Sequence, residues 1–163
     1  KKIMATLRVT HTEDIVLEGR QQGATRTMSF NNITDVFSRV FSFKQGTLTS
    51  LYTTHADTIS GSIFDDGSVK YVRITNLGLE PIALNILTET AGTSSGNLSY
   101  AYEIQPNESY YLYSHTVVAL ADTTDAISTS ELGSSLVDID EVKAYCHRGI
   151  GKVEVMVAST DAK

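Results

Sequence analysis

Val69-Lys-Tyr-Val-Arg-Ile-Thr-Asn76, a loop to Pro81, and then Ile82-Ala-Leu-Asn-Ile86 decide the fold. Val72 and Ile74 fall on one side of an extended chain, with Tyr71 and Arg73 on the other. Ile82, Leu84 and Ile86 form the next inward row. Side chains of a strand alternate with period two, whereas a helix would recur at three and four, so both segments read as half-buried strands. Asp65-Asp66-Gly67 before them is a turn signal, because glycine takes the left-handed backbone without steric cost.

The same alternation extends in both directions. Upstream, Ile3, Ala5, Leu7 and Val9 oppose Thr6, Arg8 and Thr10, which predicts a strand with one buried face. Thr10 to Glu13 reads as a turn, Asp14 to Glu18 as a short strand, and Gly19 to Gly23 as a polar connection before a strand over Thr25 to Phe30. Asn32 to Phe43 fits a short helix or a strand, and its three Phe residues tip it towards extended structure. Thr47 to Ile59 is β-branched and aromatic, again strand-like. Downstream, Leu98, Tyr100, Tyr102 and Ile104 alternate after a Gly/Ser/Thr loop at 92–96. Gln105-Pro106-Asn107-Glu108 is a tight turn, with Ser109 to Tyr113 as the partner strand of a hairpin. Ala121 to Ser135 reads as a long polar loop, and Val153, Val155 and Val157 as the strand that closes the sheet. Short strands at this spacing predict an all-β, single-domain antiparallel β-sandwich, jelly-roll-like, with one long loop at about 121–135.

Composition narrows the function. The chain has 163 residues with a formal charge of −6, and its basic residues are scattered. Binding through nucleic-acid phosphates needs a concentrated Lys/Arg field, so nucleic acid is not an expected partner. No apolar run reaches the roughly 18 residues a membrane span requires, so no membrane partner is expected either. The opening Lys1-Lys2-Ile3-Met4-Ala5 lacks the apolar core of a signal peptide. Cys146 is the only cysteine, which excludes an internal disulfide and suggests a reducing compartment.

No catalytic constellation stands out. His11, His55, His115 and His147 show no metal-ligand spacing, and Cys146 and His147 are neighbours on a strand, pointing to opposite faces. Asp138, Asp140 and Glu141, like Asp122 and Asp125, lack the alternating ligand pattern of a calcium loop and read as solvated edges. There is no Gly-x-Ser-x-Gly or phosphate-binding glycine loop, and Gly149-Ile150-Gly151 reads as a bend. Asn32, Asn97 and Asn107 each begin an Asn-x-Ser/Thr triplet, a pattern that arises by chance in a chain so rich in Ser and Thr. The expectation is a non-enzyme without cofactor or metal.

What remains is a binding surface. Tyr100, Tyr102, Tyr110, Tyr111 and Tyr113 surround the expected hairpin and suit either cross-strand packing or a protein interface. A sugar platform is a weaker fit without tryptophan. Lys1 to Val9, with Leu7 and Val9, and the 121–135 loop, with Asp122, Asp125 and Leu132, are the other candidate contact segments.

The run Tyr71-Val-Arg-Ile-Thr-Asn76, then Pro81 to Ile86, then Tyr102-Glu-Ile-Gln-Pro-Asn-Glu-Ser109-Tyr-Tyr-Leu112 resembles small β-sandwich virion proteins of tailed bacteriophages. In those proteins a strand ending in Asn leads through an alternating strand and a variable loop to a Pro-Gly-Glu-Ser turn. Here Asn107 stands where glycine is common, a modest departure since Asn also tolerates a left-handed backbone. The resemblance implies a structural protein of the virion, assembled in the host cytoplasm. A capsid decoration or cement protein bracing capsid subunits is favoured over a tail or neck component. It implies major capsid or tail proteins as partners and a homo-oligomer, a trimer among the options. A glycan-binding sandwich is the rival class.

Overall fold

The computed structural model describes residues 4–54, 62–65, 67–88, 98–113, 116–118 and 136–160, and every regular element among them is a strand. The chain begins with β1 (Ala5–Thr12), β2 (Val16–Leu17), β3 (Arg20–Gln21) and β4 (Thr25–Ile33). Next come β5 (Asp35–Lys44), β6 (Thr49–Thr54), β7 (Ile63–Phe64), β8 (Val69–Asn76) and β9 (Ile82–Thr88). The series ends with β10 (Leu98–Ile104), β11 (Ser109–Leu112), β12 (Thr116–Val118), β13 (Leu136–Cys146) and β14 (Ile150–Ser159).

Two sheets hold most of these strands. One is antiparallel throughout, in the order β11-β8-β14-β5; the other runs β10-β9-β13-β6-β7, with β12 added to β13 and only the short β6–β7 pairing parallel. Alternation works as the sequence predicts. Val72 and Ile74 are buried, Tyr71 and Arg73 point the other way, and Ile82, Leu84 and Ile86 are fully enclosed. The inward rows of both sheets belong to one hydrophobic cluster, in which Val153, Val155 and Val157 of the first join Leu84, Ile86 and Val142 of the second. Phe37 of β5 meets Phe64 of β7 edge-on, with ring centroids 5.9 Å apart. Each fully buried aliphatic side chain contributes roughly 1.5–3 kcal/mol, so this cluster is the main source of stability. Close packing also explains Gly151, where a Cβ would sit 2.2 Å from the Phe43 ring.

Five expectations need correction. Ser109 to Tyr113 does not pair with β10: β11 lies on β8 and β10 on β9, so the turn between them carries the chain from one sheet to the other. The first strand does not turn at Thr10 but continues to Thr12, held by pairing with β4. Residues 20–21, expected in a polar connection, pair with residues 16–17. Asp140 and Glu141 are not a loose acidic edge. They lie on β13, which pairs with both β9 and β6, and a bulge between Ile139 and Glu141 turns their side chains away from the core row Val142, Ala144 and Cys146. The Thr54 hydroxyl donates to the Ile139 carbonyl beside this irregularity. β14, expected to close a sheet, instead lies between β8 and β5.

Two of the crossings between the sheets, β8 to β9 and β10 to β11, meet at one hub. Asn76 ends β8 fully buried. Its Nδ2 donates to the carbonyls of Glu80 at 2.9 Å and Ile104 at 3.1 Å, and its Oδ1 accepts from the Gly78 amide at 2.8 Å. Its backbone N–H donates to Glu108 O at 3.0 Å, and its carbonyl accepts from Asn107 N–H at 2.9 Å. Asn107 has φ 65°, the left-handed conformation that Asn tolerates. The Gln105 amide donates to Glu108 Oε2 at 2.7 Å, closing the turn. The Asn of one segment and the Pro-Asn-Glu turn of the other are thus a single corner.

Candidate functional site

The most distinctive surface begins at the amino-terminal strands. Along β1 and β4 the partly buried residues alternate with exposed ones, and Leu7 pairs opposite Phe30 and Val9 opposite Met28. The outward row is polar and cross-linked, with hydroxyl contacts Thr10–Thr27 at 3.1 Å and Thr25–Thr12 at 3.3 Å, and Thr6 donating to Asn31 Oδ1 at 3.1 Å. The inward row packs on the outer face of the β11-β8-β14-β5 sheet. Leu7, Val9, Phe30 and Ile33 form a second apolar cluster with Tyr71, Tyr111, Met156 and Ala158. The two strands are therefore an arm laid over the sheet. The corner into β5 is tight: Asn32 has φ 60°, and the Thr34 amide donates to Ser159 O at 3.0 Å.

Aromatic contacts fix the arm. Phe30 lies 5.9 Å from Tyr71 and stacks with Tyr113 at 6.4 Å. His11 meets Tyr111 edge-on at 4.9 Å and shares a 2.6 Å hydrogen bond between its Nε2 and the Tyr113 hydroxyl. Burial pushes the Tyr71 hydroxyl up, offset in part by the Arg73 guanidinium, and burial likewise raises Tyr113, with Tyr111 adding to it.

Beyond His11 the arm ends in a built tip. The Glu13 amide donates to Ala24 O at 2.9 Å and the Gln22 amide to Ile15 O at 2.8 Å. Gln21 Nε2 donates to Asp14 Oδ1 at 2.5 Å. Between β2 and β3 both turn residues, Glu18 and Gly19, have positive φ, the two-residue turn whose twist matches a hairpin. At Gly23 a Cβ would meet the Glu13 carbonyl oxygen at 1.8 Å, so no other residue fits. This ordered tip holds Ile15, Val16 and Leu17 at 54%, 66% and 58% exposure. A contiguous exposed apolar run on a fixed frame is the usual sign of a docking surface.

The tyrosines expected to form one interface are divided. Tyr111 and Tyr113 lie on the outer face of the sheet in contact with the arm. Tyr100 and Tyr102 belong to β10, and with Tyr110 of β11 they bridge the edges of the two sheets, Tyr102 and Tyr110 having ring centroids 5.0 Å apart. Leu7 and Val9 likewise pack within the chain. Asp122, Asp125 and Leu132, with the 121–135 loop, lie outside the described residues, as do His55, His115, Asn97 and the 92–96 loop. Alternation does not reveal the tip, because its strands are very short; the Glu18-Gly19 dipeptide, flanked by Val16-Leu17 and Arg20-Gln21, is the signal the sequence offers.

The remaining reactive groups are occupied. Buried Cys146 donates its thiol to Arg148 O at 2.6 Å, while His147 stacks edge-on with Tyr145 at 4.7 Å. Among the described residues no three His, Cys, Asp or Glu side chains gather where they could hold a metal ion. An open hollow of about 500 Å³ lies at the far end of β8, lined by Leu77, Gly78, Leu79, Glu80, Gly149, Ile150 and Lys152. Compared with known proteins, the chain matches no family model, no curated protein and no solved structure.

Burial also pushes up the hydroxyls of Tyr52 and Tyr100; Tyr100 and Tyr110 add to the rise at Tyr52, and a hydrogen bond with Tyr110 adds to it at Tyr100. A folded-state value above the ordinary one of about 10 means the unfolded chain releases its proton first. Stability is therefore full below about pH 10 and falls as pH rises towards the folded-state values. Tyr52 dominates, since Tyr100 is 39% exposed and keeps much of its hydration. Denaturant melts across alkaline pH should show this fall, with the last tyrosinate absorbance appearing only as strand circular dichroism is lost. Reversible titration of all eight tyrosines near pH 10 with the fold intact would contradict it.

Proposed function

We propose that this chain is a structural component of a tailed-bacteriophage particle, a decoration or cement protein built as a two-layer, jelly-roll-like β-sandwich that braces capsid subunits. The observation that carries the reading is the arm: a sheet-covering hairpin whose rigid end presents Ile15, Val16 and Leu17 to solvent. Such a device grips a neighbouring protein; it has no evident use in turning over a small molecule. The resemblance to virion proteins supports the reading, because its two motif segments meet at Asn76, where side-chain and backbone bonds join them in one corner. On a shell each copy binds modestly, and many copies in register keep one another in place.

The test is rebinding. Purified protein mixed with particles lacking it is expected to restore density on the outer shell, and a variant with Ile15→Ser and Leu17→Ser to restore at most a tenth of that occupancy. Density at the tail or neck would move the assignment there. No rebinding to any part of the particle, or competable binding to a glycan array instead, would end the virion reading.

A further inference from the structure

We propose that the arm tip of one copy seats in the hollow at the Leu77–Glu80 end of a second copy of this chain. The tip is apolar on both sides: Ile15 and Leu17 alternate with Val16 along an extended segment, so lying on a flat surface would leave one side wet. It needs an occupant that encloses it. The hollow offers walls of the same kind, with Leu79 at 91% and Ile150 at 69% exposure, beside a floor fixed by the Asn76 hub through Gly78.

Charge points the same way. The tip carries Glu13, Asp14 and Glu18 against Arg20. Lys152 lines the hollow and Lys44 pairs opposite Ile150 on its wall, while Glu80 is the one carboxylate in the lining among the described residues. Arg148 stands in the smaller adjoining hollow, together with Glu80 and Glu103. An acidic collar around an apolar plug thus faces a socket with a lysine flank, an arrangement that also fixes orientation.

Tip and hollow are different parts of the surface. The arm packs across the sheet from the level of Tyr71 to that of Arg73, which lies opposite Tyr111 and Met156, whereas the hollow begins at Leu77, four residues and roughly 13 Å beyond. The contact therefore joins unlike surfaces, which either exchange reciprocally between two copies about a two-fold axis or run head-to-tail into a ring or chain. The neighbour gripped by the tip is here another copy of the chain, so the inference rests on the docking role given to the tip above; cross-linking is read on the free protein and rebinding on the particle, so failure of one is told from failure of the other.

Leu17 and Leu79 are both exposed, so Leu17→Cys and Leu79→Cys leave the core untouched, and Cys146 is buried. The two full-length variants, distinguishable by mass, are mixed under mild oxidation at roughly 100 μM. The mixed disulfide is expected to exceed cross-linked dimer from either variant alone by at least tenfold. Adding Val16→Asp to the Leu17→Cys chain should remove that excess, with circular dichroism unchanged. Equal cross-linking in the single-variant samples, no excess in the mixture, or an excess that survives Val16→Asp would overturn the proposal.

Discussion

Asn76→Ala is expected to destabilise the protein by about 3 kcal/mol or more, the largest effect of any single polar side chain described here. The amide satisfies three backbone groups at once: the carbonyls of Glu80 and Ile104 and the N–H of Gly78. All three belong to a site where Asn76 itself is fully buried. A lost partner in such a place costs about 1–3 kcal/mol, because the group left behind cannot regain water. For a chain of this length the melting temperature should drop by roughly 6–12 °C. Asn76→Asp should be no better, since it keeps the acceptor for Gly78 but replaces the donor to two carbonyls with a buried charge. A thermal melt of the alanine variant within about 1 kcal/mol of the parent would show that the corner is held by its backbone bonds alone.

That corner also explains how far the sequence could be read. Alternation reveals which side of a strand is buried, and Val72, Ile74, Ile82, Leu84 and Ile86 all point inward as expected. Alternation does not reveal the neighbour across the ladder. Ser109 to Tyr113 follows β10 after four residues, the usual spacing of a hairpin, yet β11 pairs with β8. The deciding bonds join Asn107 and Glu108 to Asn76, which is far from them in sequence. β13 was obscured for a different reason. Its bulge between Ile139 and Glu141 breaks the period where three carboxylates cluster, although Val142, Ala144 and Cys146 keep it afterwards. The arm is a third case. Its strands are visible in the period of Leu7 and Val9 and of Met28 and Phe30, but nothing local says that this face rests on Tyr71 rather than on the main core.

Tyr71→Ala should separate the arm from the body. Tyr71 is 4% exposed and stands between Phe30, Tyr111 and Tyr113, with centroid separations of 5.9, 6.5 and 5.9 Å. Truncating a buried aromatic costs about 3–5 kcal/mol when the site cannot collapse. Here the loss falls on one side of the sheet, because the neighbouring Val72 and Ile74 face the other cluster, which keeps all its members. The expected result is local: hydrogen exchange of the β1 and β4 amides quickens by two to three orders of magnitude, on the order of 3–4 kcal/mol, while β9 and β13 amides change far less. The chain is tied to the sheet at Thr34, so an undocked arm remains attached and can reach further than a docked one. If exchange instead quickens equally throughout, the two clusters melt as one cooperative unit. The arm would then be part of the structural body, and its tip would be presented at a single fixed angle to whatever it binds.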